Sequence, residues 1–444
     1  MGAIWLGVDD TDHPGGGCTT WTLTELVRVA RSEGLDLIGE PRLVRLNPNV
    51  PWKTRGNAAL AARFGHGTGD PRTIGSIDHR PVAAYLRGTG LDRAEADALF
   101  GAAWDRIDRL SARVPGTDPA LVGADRPLPP ALYWNAVRDV VDVGRTVSAL
   151  EALGARCRHR GSRRGLVGAS AAIAWPGRRA TWELIAYRPA GRWGTPRAVD
   201  ADSVDRAARS EPDLFLCHDG RTRRLLVAPH SPCPILYGLR GTTAEAPLRA
   251  RRSIRTEPVD RWLLFRTNQA TGDHLLPRAA AEVGPYLSAI VDGTVDRSPA
   301  DRFGGHVGLA IRDDRGDRLP CVVFEPTKTL PSVVRSLRPG DRVRLWGGRG
   351  RSGAFRLEGI RLLRLVERAT VTKPRCDRCG RSARSAGRAR GFRCPACGRR
   401  WPPEAARRTV IPPEFPAGEY HPTPSARRHL APRPTPGLAV HESF

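Results

Sequence analysis

Trp5-Leu-Gly-Val-Asp9-Asp10-Thr11-Asp12-His13-Pro14-Gly15-Gly16-Gly17-Cys18-Thr19-Thr20 is the stretch whose reading decides this chain. The apolar run Ala3 to Val8 predicts a short strand bounded by turn residues. Three carboxylates follow, then Pro14 and three glycines, then two threonines. Beyond them Leu23, Leu26, Val27 and Ala30 recur at i, i+3, i+4 and i+7, one face of a helix closed by Gly34. The unit is therefore strand, acidic glycine-rich loop, helix. It sets carboxylates, backbone N–H groups and a hydroxyl beside a helix N-terminus, where anions are favoured. Such a loop suits a nucleotide with its magnesium ions, because hard cations want carboxylate oxygens and phosphates want N–H groups and the metal. It is not a P-loop, since no Gly-Lys-Ser/Thr closes it. Read alone, the aspartates are also compatible with plain turn residues and a helix cap. Crowding three like charges at a strand edge is nevertheless costly unless a cation resides there.

Outward from this unit, Arg42 to Leu46 alternates into a second strand halted by Asn47-Pro48, and Pro51 to Asn57 forms a polar loop offering Lys53, Arg55 and Asn57. Lysine there acts on phosphate as a point charge and arginine as a fork. Of the 71 basic residues only three are lysines, Lys53, Lys328 and Lys373. Coding pressure of that kind spares lysine where a compact ammonium is needed, or by chance. Asp92 with Glu95 predicts a capping box, and Leu99, Ala103, Ile107 and Leu110 make one face of the following helix. Pro115 to Pro130 reads as a connection, with a helix beginning near Leu132. From there to about Arg278 helices alternate with β-rich runs, including Thr181 to Tyr187, Leu225 to Ala228 and Arg261 to Thr267. This is α+β patterning without a legible topology.

The third segment is clearer. Tyr286 to Val295, His306 to Arg312, Leu319 to Phe324, Arg342 to Trp346 and Phe355 to Val366 read as strands, with a short helix over Thr329 to Leu337. Five strands with a helix between the third and fourth is the order of an OB-fold, which binds single-stranded nucleic acid or loops. Arg344, Trp346, Arg349, Arg351 and Phe355 place cations beside aromatics, as base stacking requires; a structural barrel with a solvated basic rim is the alternative. Cys376-Asp-Arg-Cys379, fourteen residues, then Cys394-Pro-Ala-Cys397 supplies four thiolates at zinc-ribbon spacing. Four ligands leave no open position, so that metal is structural. The intervening loop is arginine-rich, Arg388 included, and suits a phosphate backbone. Pro402 to Phe444 carries ten prolines and, alone, reads as a disordered tail.

Composition bounds the class. A chain of 444 residues holds three or four domains, and a net charge of +25 points to a polyanionic partner. No apolar run is long enough to span a membrane and no leader is evident, so the chain reads as cytoplasmic and unprocessed. Nine cysteines, five of them scattered (Cys18, Cys157, Cys217, Cys233, Cys321), argue against a disulfide framework.

The motifs Val8-Asp-Asp-Thr-Asp12, Gly16-Gly-Cys-Thr-Thr20 and Arg45-Leu-Asn-Pro-Asn-Val-Pro-Trp-Lys-Thr-Arg-Gly-Asn57 resemble the archaeal tRNA(Ile) 2-agmatinylcytidine synthetase (TiaS) family. So do Arg164-Gly-Leu-Val-Gly-Ala169, Trp182 to Arg188, Pro232-Cys-Pro-Ile-Leu-Tyr-Gly238, Thr256 to Asp260, Thr267 to His274 and Pro424-Ser-Ala-Arg-Arg-His-Leu430. His13 in place of a usual serine and a third glycine before Cys18 depart mildly from the pattern. The resemblance implies a multidomain α+β chain. Its parts would be a kinase-like ATP domain over 1–130 (open to being discontinuous), a ferredoxin-like domain over 131–278, an OB-fold over 284–368, a zinc ribbon over 370–402 and a Pro-rich basic tail over 403–444. It implies an ATP-dependent ligase joining agmatine to C2 of the wobble cytidine of the AUA-decoding isoleucine tRNA. Phosphorylation of the C2 oxygen activates it, ATP yields AMP, and one phosphoryl passes to the loop threonine, which matches Thr19. Asp9, Asp10 and Asp12 match the residues holding magnesium and phosphates. Lys53, Arg55 and Asn57 are ATP-loop candidates, and Asp273 and His274 are candidates for agmatine. Arg427, Arg428 and His429 lie in the tail motif, which the resemblance would order against tRNA. Two other classes remain: a non-catalytic RNA-binding protein, and a nucleic-acid-dependent ATPase or kinase with another acceptor.

Overall fold

The computed structural model describes residues 2–434 other than Arg55, Ser352 and Arg388. The opening apolar run forms β1 (Ile4–Asp9), buried along its whole length. That burial explains why it reads as continuous rather than alternating: both faces are covered. The helix that follows, α1 (Thr19–Ser32), starts directly at the threonines, and it buries Leu23, Leu26, Val27 and Ala30 as the periodicity requires. Beyond its end Gly34 takes φ +72°, a left-handed turn open to glycine at no steric cost. The Asp92 and Glu95 capping box is formed reciprocally at 2.8 Å in both directions.

β1 pairs antiparallel with β3 (Ala58–Thr68) on one side, next to which lies β2 (Arg42–Arg45). On its other side it pairs with β4 (Ala120–Ala124). β4 lies inside the segment expected to be a mere connection. Its five apolar residues are flanked so closely by Pro and Gly that the turn signal hides the strand. α2 (Gly165–Ala174) packs across β1, and its close approach rests on glycine: a Cβ at Gly7 would meet the Ala169 carbonyl oxygen at 2.2 Å.

Beyond α2, β5 (Thr181–Tyr187) lies antiparallel between β6 (Ile235–Gly241) and β7 (Arg261–Thr267). β7 then pairs in parallel with β2 and antiparallel with Arg72–Ile77. The chain's early and middle parts therefore share one sheet, thirteen-stranded among the described residues. Part of it curls into a small barrel, closed through Ala58–Thr68, Asp36–Ile38, Arg80–Tyr85, Arg72–Ile77, Arg261–Thr267 and Arg42–Arg45. The Leu225–Ala228 run is a strand only at Arg224–Leu225.

The third segment is a second small barrel of β8 (Ser288–Val295), β9 (Val307–Arg312), β10 (Arg318–Val323), β11 (Arg342–Gly348) and β12 (Phe355–Arg364). It closes in the order β8, β11, β12, β10, β9, β8, with α3 (Thr329–Arg335) between β10 and β11. Past it, Ala369–Thr372 pairs with Arg407–Val410 around the cysteine knuckles.

The tail is ordered through residue 434, contrary to the reading of Pro402–Phe444 as a disordered segment. β13 (Gly418–Tyr420) adds to β12, and Tyr420 is fully buried in the barrel core. Residues 435–444 lie outside the described residues. Among the described residues no helix is long and apolar enough to cross a membrane.

The glycine contact between β1 and α2 generates a prediction. Gly7→Ala should lower the unfolding free energy by about 3 kcal/mol, as overpacking against backbone does, read from denaturant midpoints.

Candidate functional site

The carboxylates stand where β1 ends. Asp9 is its last residue and is buried, Asp10 takes φ +55°, and Asp12-His13 folds back on Gly16-Gly17 in a two-residue hairpin. Gly17 is required there: at φ +70°, a Cβ would lie 2.8 Å from the Thr11 carbonyl oxygen. The loop expected to be flexible is thus a tight turn. It delivers Thr19 to the first position of α1, whose Cys18 N-cap makes no side-chain cap bond, so the helix's leading N–H groups keep their capacity for an anion. The Thr19 hydroxyl donates to Asp12 Oδ1 at 3.4 Å.

These groups line a cavity of about 440 Å³, together with Lys53, Asn57, Arg427 and His429. Part of its lining is apolar, from Leu225 to Pro229 and Ile235. Sequence reasoning missed the ionic group that closes one side. Glu183 lies 3.8 Å from Arg45 Nη2 and 3.1 Å from Arg240 Nε, and accepts a hydrogen bond from Gln269. Arg45 and Glu183 stood in quoted motifs, but nothing local marked them as neighbours. A fourth carboxylate was also missed. Asp118 donates its backbone N–H to the Asp10 carbonyl at 3.1 Å and adds its charge to the cluster.

Electrostatics follow from this crowding. Burial, then Asp10 and Asp12, pushes the Asp9 carboxyl well above the usual carboxylate range. Asp10 is pushed up to about 6, by burial first and then by Asp12 and Asp118, against the pull of Arg164. The α2 helix leaves Asp9 no room to turn away, since a Cβ at Gly168 would sit 1.8 Å from its Oδ2. Burial and Cys233 push the Cys18 thiol up to about 12, which leaves it a poor nucleophile beside Thr19 at neutral pH.

Other expected residues are elsewhere. Asp273 does not face the cavity: its Oδ2 accepts from the Tyr133 hydroxyl at 2.6 Å, and its carbonyl accepts from Arg138 at 3.1 Å. His274 is fully buried and bonds Glu358 at 3.1 Å. Burial would raise Glu358, but Arg428, His274 and Lys53 outweigh it and hold it at about 2. Arg428 contacts both Glu358, at 3.0 Å, and Asn49, at 2.7 Å, and so ties the tail to the second barrel and to the Lys53 loop. Asp273 and His274 thus each hold a protein partner away from the cavity, while Asp273 Oδ1 and His274 Nδ1 are buried without a hydrogen bond among the described residues.

On the second barrel Arg344 is matched to Asp292 by two bonds of 2.7 and 2.8 Å. Trp346 is 6% exposed and packs on His421 with ring centroids 5.3 Å apart, so it is no open stacking platform. Arg349 caps carbonyls of Val283 and Gly353, whereas Arg351 is exposed. Arg55 and Arg388 lie outside the described residues. Cys376, Cys379, Cys394 and Cys397 bring their Sγ atoms within 4.8 Å of one another. Separations of 3.5, 3.3 and 4.0 Å bracket the ~3.8 Å edge of a tetrahedron with ~2.3 Å zinc–sulfur bonds.

Comparison with known proteins agrees with this geometry. Family models described as the TiaS TCKD domain, the TiaS FLD domain and the TiaS C-terminal zinc ribbon domain match residues 5–160, 163–274 and 373–409. The isoleucine-tRNA 2-agmatinylcytidine synthetase TiaS of Methanosarcina mazei is 36% identical over 436 residues, covering 96% of each chain. That of Archaeoglobus fulgidus is 35% identical, again over 96% of each. Among solved structures, apo TiaS superposes with a TM-score of 0.82 at 33% identity, covering 97% of each chain. A complex of TiaS with its isoleucine tRNA, AMPCPP and agmatine superposes with a TM-score of 0.79 at 30% identity, over 97% of this chain and 96% of that one. A chain that matches all three domain models and these relatives nearly end to end belongs to the TiaS family of isoleucine-tRNA 2-agmatinylcytidine synthetases.

Proposed function

We infer that this chain is the ATP-dependent ligase that joins agmatine to the wobble cytidine of the AUA-decoding isoleucine tRNA, acting in the cytoplasm. The observation that carries the reading is one cavity walled by Asp9, Asp10, Asp12 and Thr19 on one side and by the C-terminal segment on the other. A binding-only protein has no use for a partly buried, mutually repelling carboxylate cluster, because its cost is met only when cations and phosphate arrive.

In this reading Asp9, Asp10 and Asp12 hold magnesium, the chemistry of their oxygens being that of a hard-cation site. When bound, the metal neutralises phosphate charge and favours in-line phosphoryl transfer. Asp12 accepts the hydrogen bond that orients the Thr19 hydroxyl, which takes up a phosphoryl group in the cycle. The open N-terminus of α1, Lys53, Arg55 and Asn57 hold the phosphates. The C2 oxygen of the cytidine is a poor leaving group until phosphorylated, and the agmatine amine then displaces phosphate. The apolar wall from Leu225 to Pro229 receives agmatine's carbon chain. The first half of the molecule is a kinase-like unit followed by a ferredoxin-like one, and the second barrel is an OB-fold. Its exposed rim, with Arg351, and the arginine-rich ribbon loop with Arg388 bear on the tRNA backbone, and the four cysteines hold structural zinc.

Three outcomes test these assignments. Incubated with ATP, labelled agmatine and the tRNA transcript, Thr19→Ala should lose transfer by several orders of magnitude while keeping tRNA affinity; undiminished transfer would falsify the role of Thr19. Because Asp10 is raised from 3.8 to about 6, the metal-free folded state binds a proton that the unfolded chain has released. The stability this contributes is present below pH 4 and is lost as pH rises through 6. Asp10→Asn should therefore stabilise the metal-free protein at pH 7.5 by up to about 3 kcal/mol and remove the gain that magnesium confers on wild type. Stripping zinc with a chelator should weaken tRNA binding by about tenfold or more, followed by filter binding against metal content.

A further inference from the structure

The C-terminal segment does more than cover the cavity. His429 is half-buried, lines the cavity and reaches back toward the end of β7, where its Nδ1 lies 3.1 Å from Gln269 Oε1. The tautomer of this histidine is set by its neighbours. The Glu183 carboxylate, clasped between Arg45 and Arg240, can only accept, so the Gln269 amide must turn its nitrogen toward it. That leaves the Gln269 oxygen facing His429, and an amide oxygen can only accept. Nδ1 is therefore the protonated nitrogen and Nε2 the one with a lone pair to accept a proton, beside the cavity residue Gly56, where a Cβ would stand 3.1 Å from it. Arg45, then burial, then Arg240 and Lys53 hold the ring neutral, well below the ordinary histidine range.

We propose that His429, carried into the cavity by the C-terminal segment, is the proton acceptor for the attacking agmatine amine. The inference rests on the synthetase reading above. Arg45, Arg240 and Lys53 set positive charge around the ring, with Glu183 against Arg45 and Arg240, Asp12 acting on Arg45 and Glu358 on Lys53. The Arg45, Arg240 and Lys53 cations draw the departing phosphate, and the amine attacks in its uncharged form, as a nucleophile must. In the step, the amine nitrogen bonds to C2, the C2–O bond breaks and its electron pair leaves with phosphate. The proton lost by nitrogen moves to Nε2. Imidazolium then sits beside the anion just released, which stabilises both.

The test uses the full chain with ATP, the tRNA transcript and labelled agmatine. His429→Asn keeps an N–H where Nδ1 stands, and so keeps Gln269 in place, but offers nothing at Nε2. Its kcat for transfer should fall by about a hundredfold or more, with KM for agmatine and tRNA-dependent AMP release within about twofold of wild type. The residual rate should climb with pH as free amine accumulates. In His429→Gly, added imidazole should restore part of the lost rate. Wild-type turnover by the Asn variant overturns the proposal, as does equal loss of AMP release and transfer, which marks a structural role. Wild-type protein that moves no label onto tRNA removes the synthetase reading and this one with it.

Discussion

Repulsion among carboxylates that cannot separate is the constraint on which the rest of this molecule depends. Asp9 is held by the pairing of β1 on both edges, and Gly168 on α2 presses against its oxygen. Asp10 sits in a left-handed turn, with Asp118 anchored to its carbonyl. The sheet and the helix supply the energy that keeps these charges together, and protons relieve them until a cation does. The small residues in Gly7 and Gly165-Leu-Val-Gly168 therefore serve the chemistry by letting backbone approach backbone.

The opposite side of the cavity is built from the far end of the chain. Residues 424–429 close it, after the chain has passed through the second barrel and around the cysteine knuckles. Arg428 and Glu358 tie that segment to the barrel, while His429, Gln269 and Glu183 tie it to the sheet. The second barrel and the cysteine knuckles are thus continuous in the chain with a segment that lines the cavity.

Legibility in the sequence tracked the range of the interactions. Periodicity found β1, α1, the barrel strands and the capping-box helix because each depends on residues a few positions apart. The acidic loop, Thr19 and the four cysteines stood out for the same reason, and the family motifs supplied the roles expected of them. Trp346 looked like a stacking residue, and Asp273 and His274 like ligand-binding ones, because side-chain type says nothing about which way a residue faces. In the structure Trp346 packs on His421, Asp273 bonds Tyr133 and His274 bonds Glu358, and none of the three lines the cavity beside Thr19.

By itself, then, the sequence determined the local chemistry: which loop concentrates negative charge, which four thiols can share a metal, and which family the motifs match. Only the tertiary structure decided that Arg45, Glu183, Arg240, Gln269 and His429 form one group, that Asp118 joins the acidic cluster, and that a proline-rich tail is an ordered wall. The physical reason is that each of these rests on contacts between distant parts of the chain. Their free energy comes from burial and pairing across the assembled sheet and barrel, which no stretch of neighbouring residues encodes.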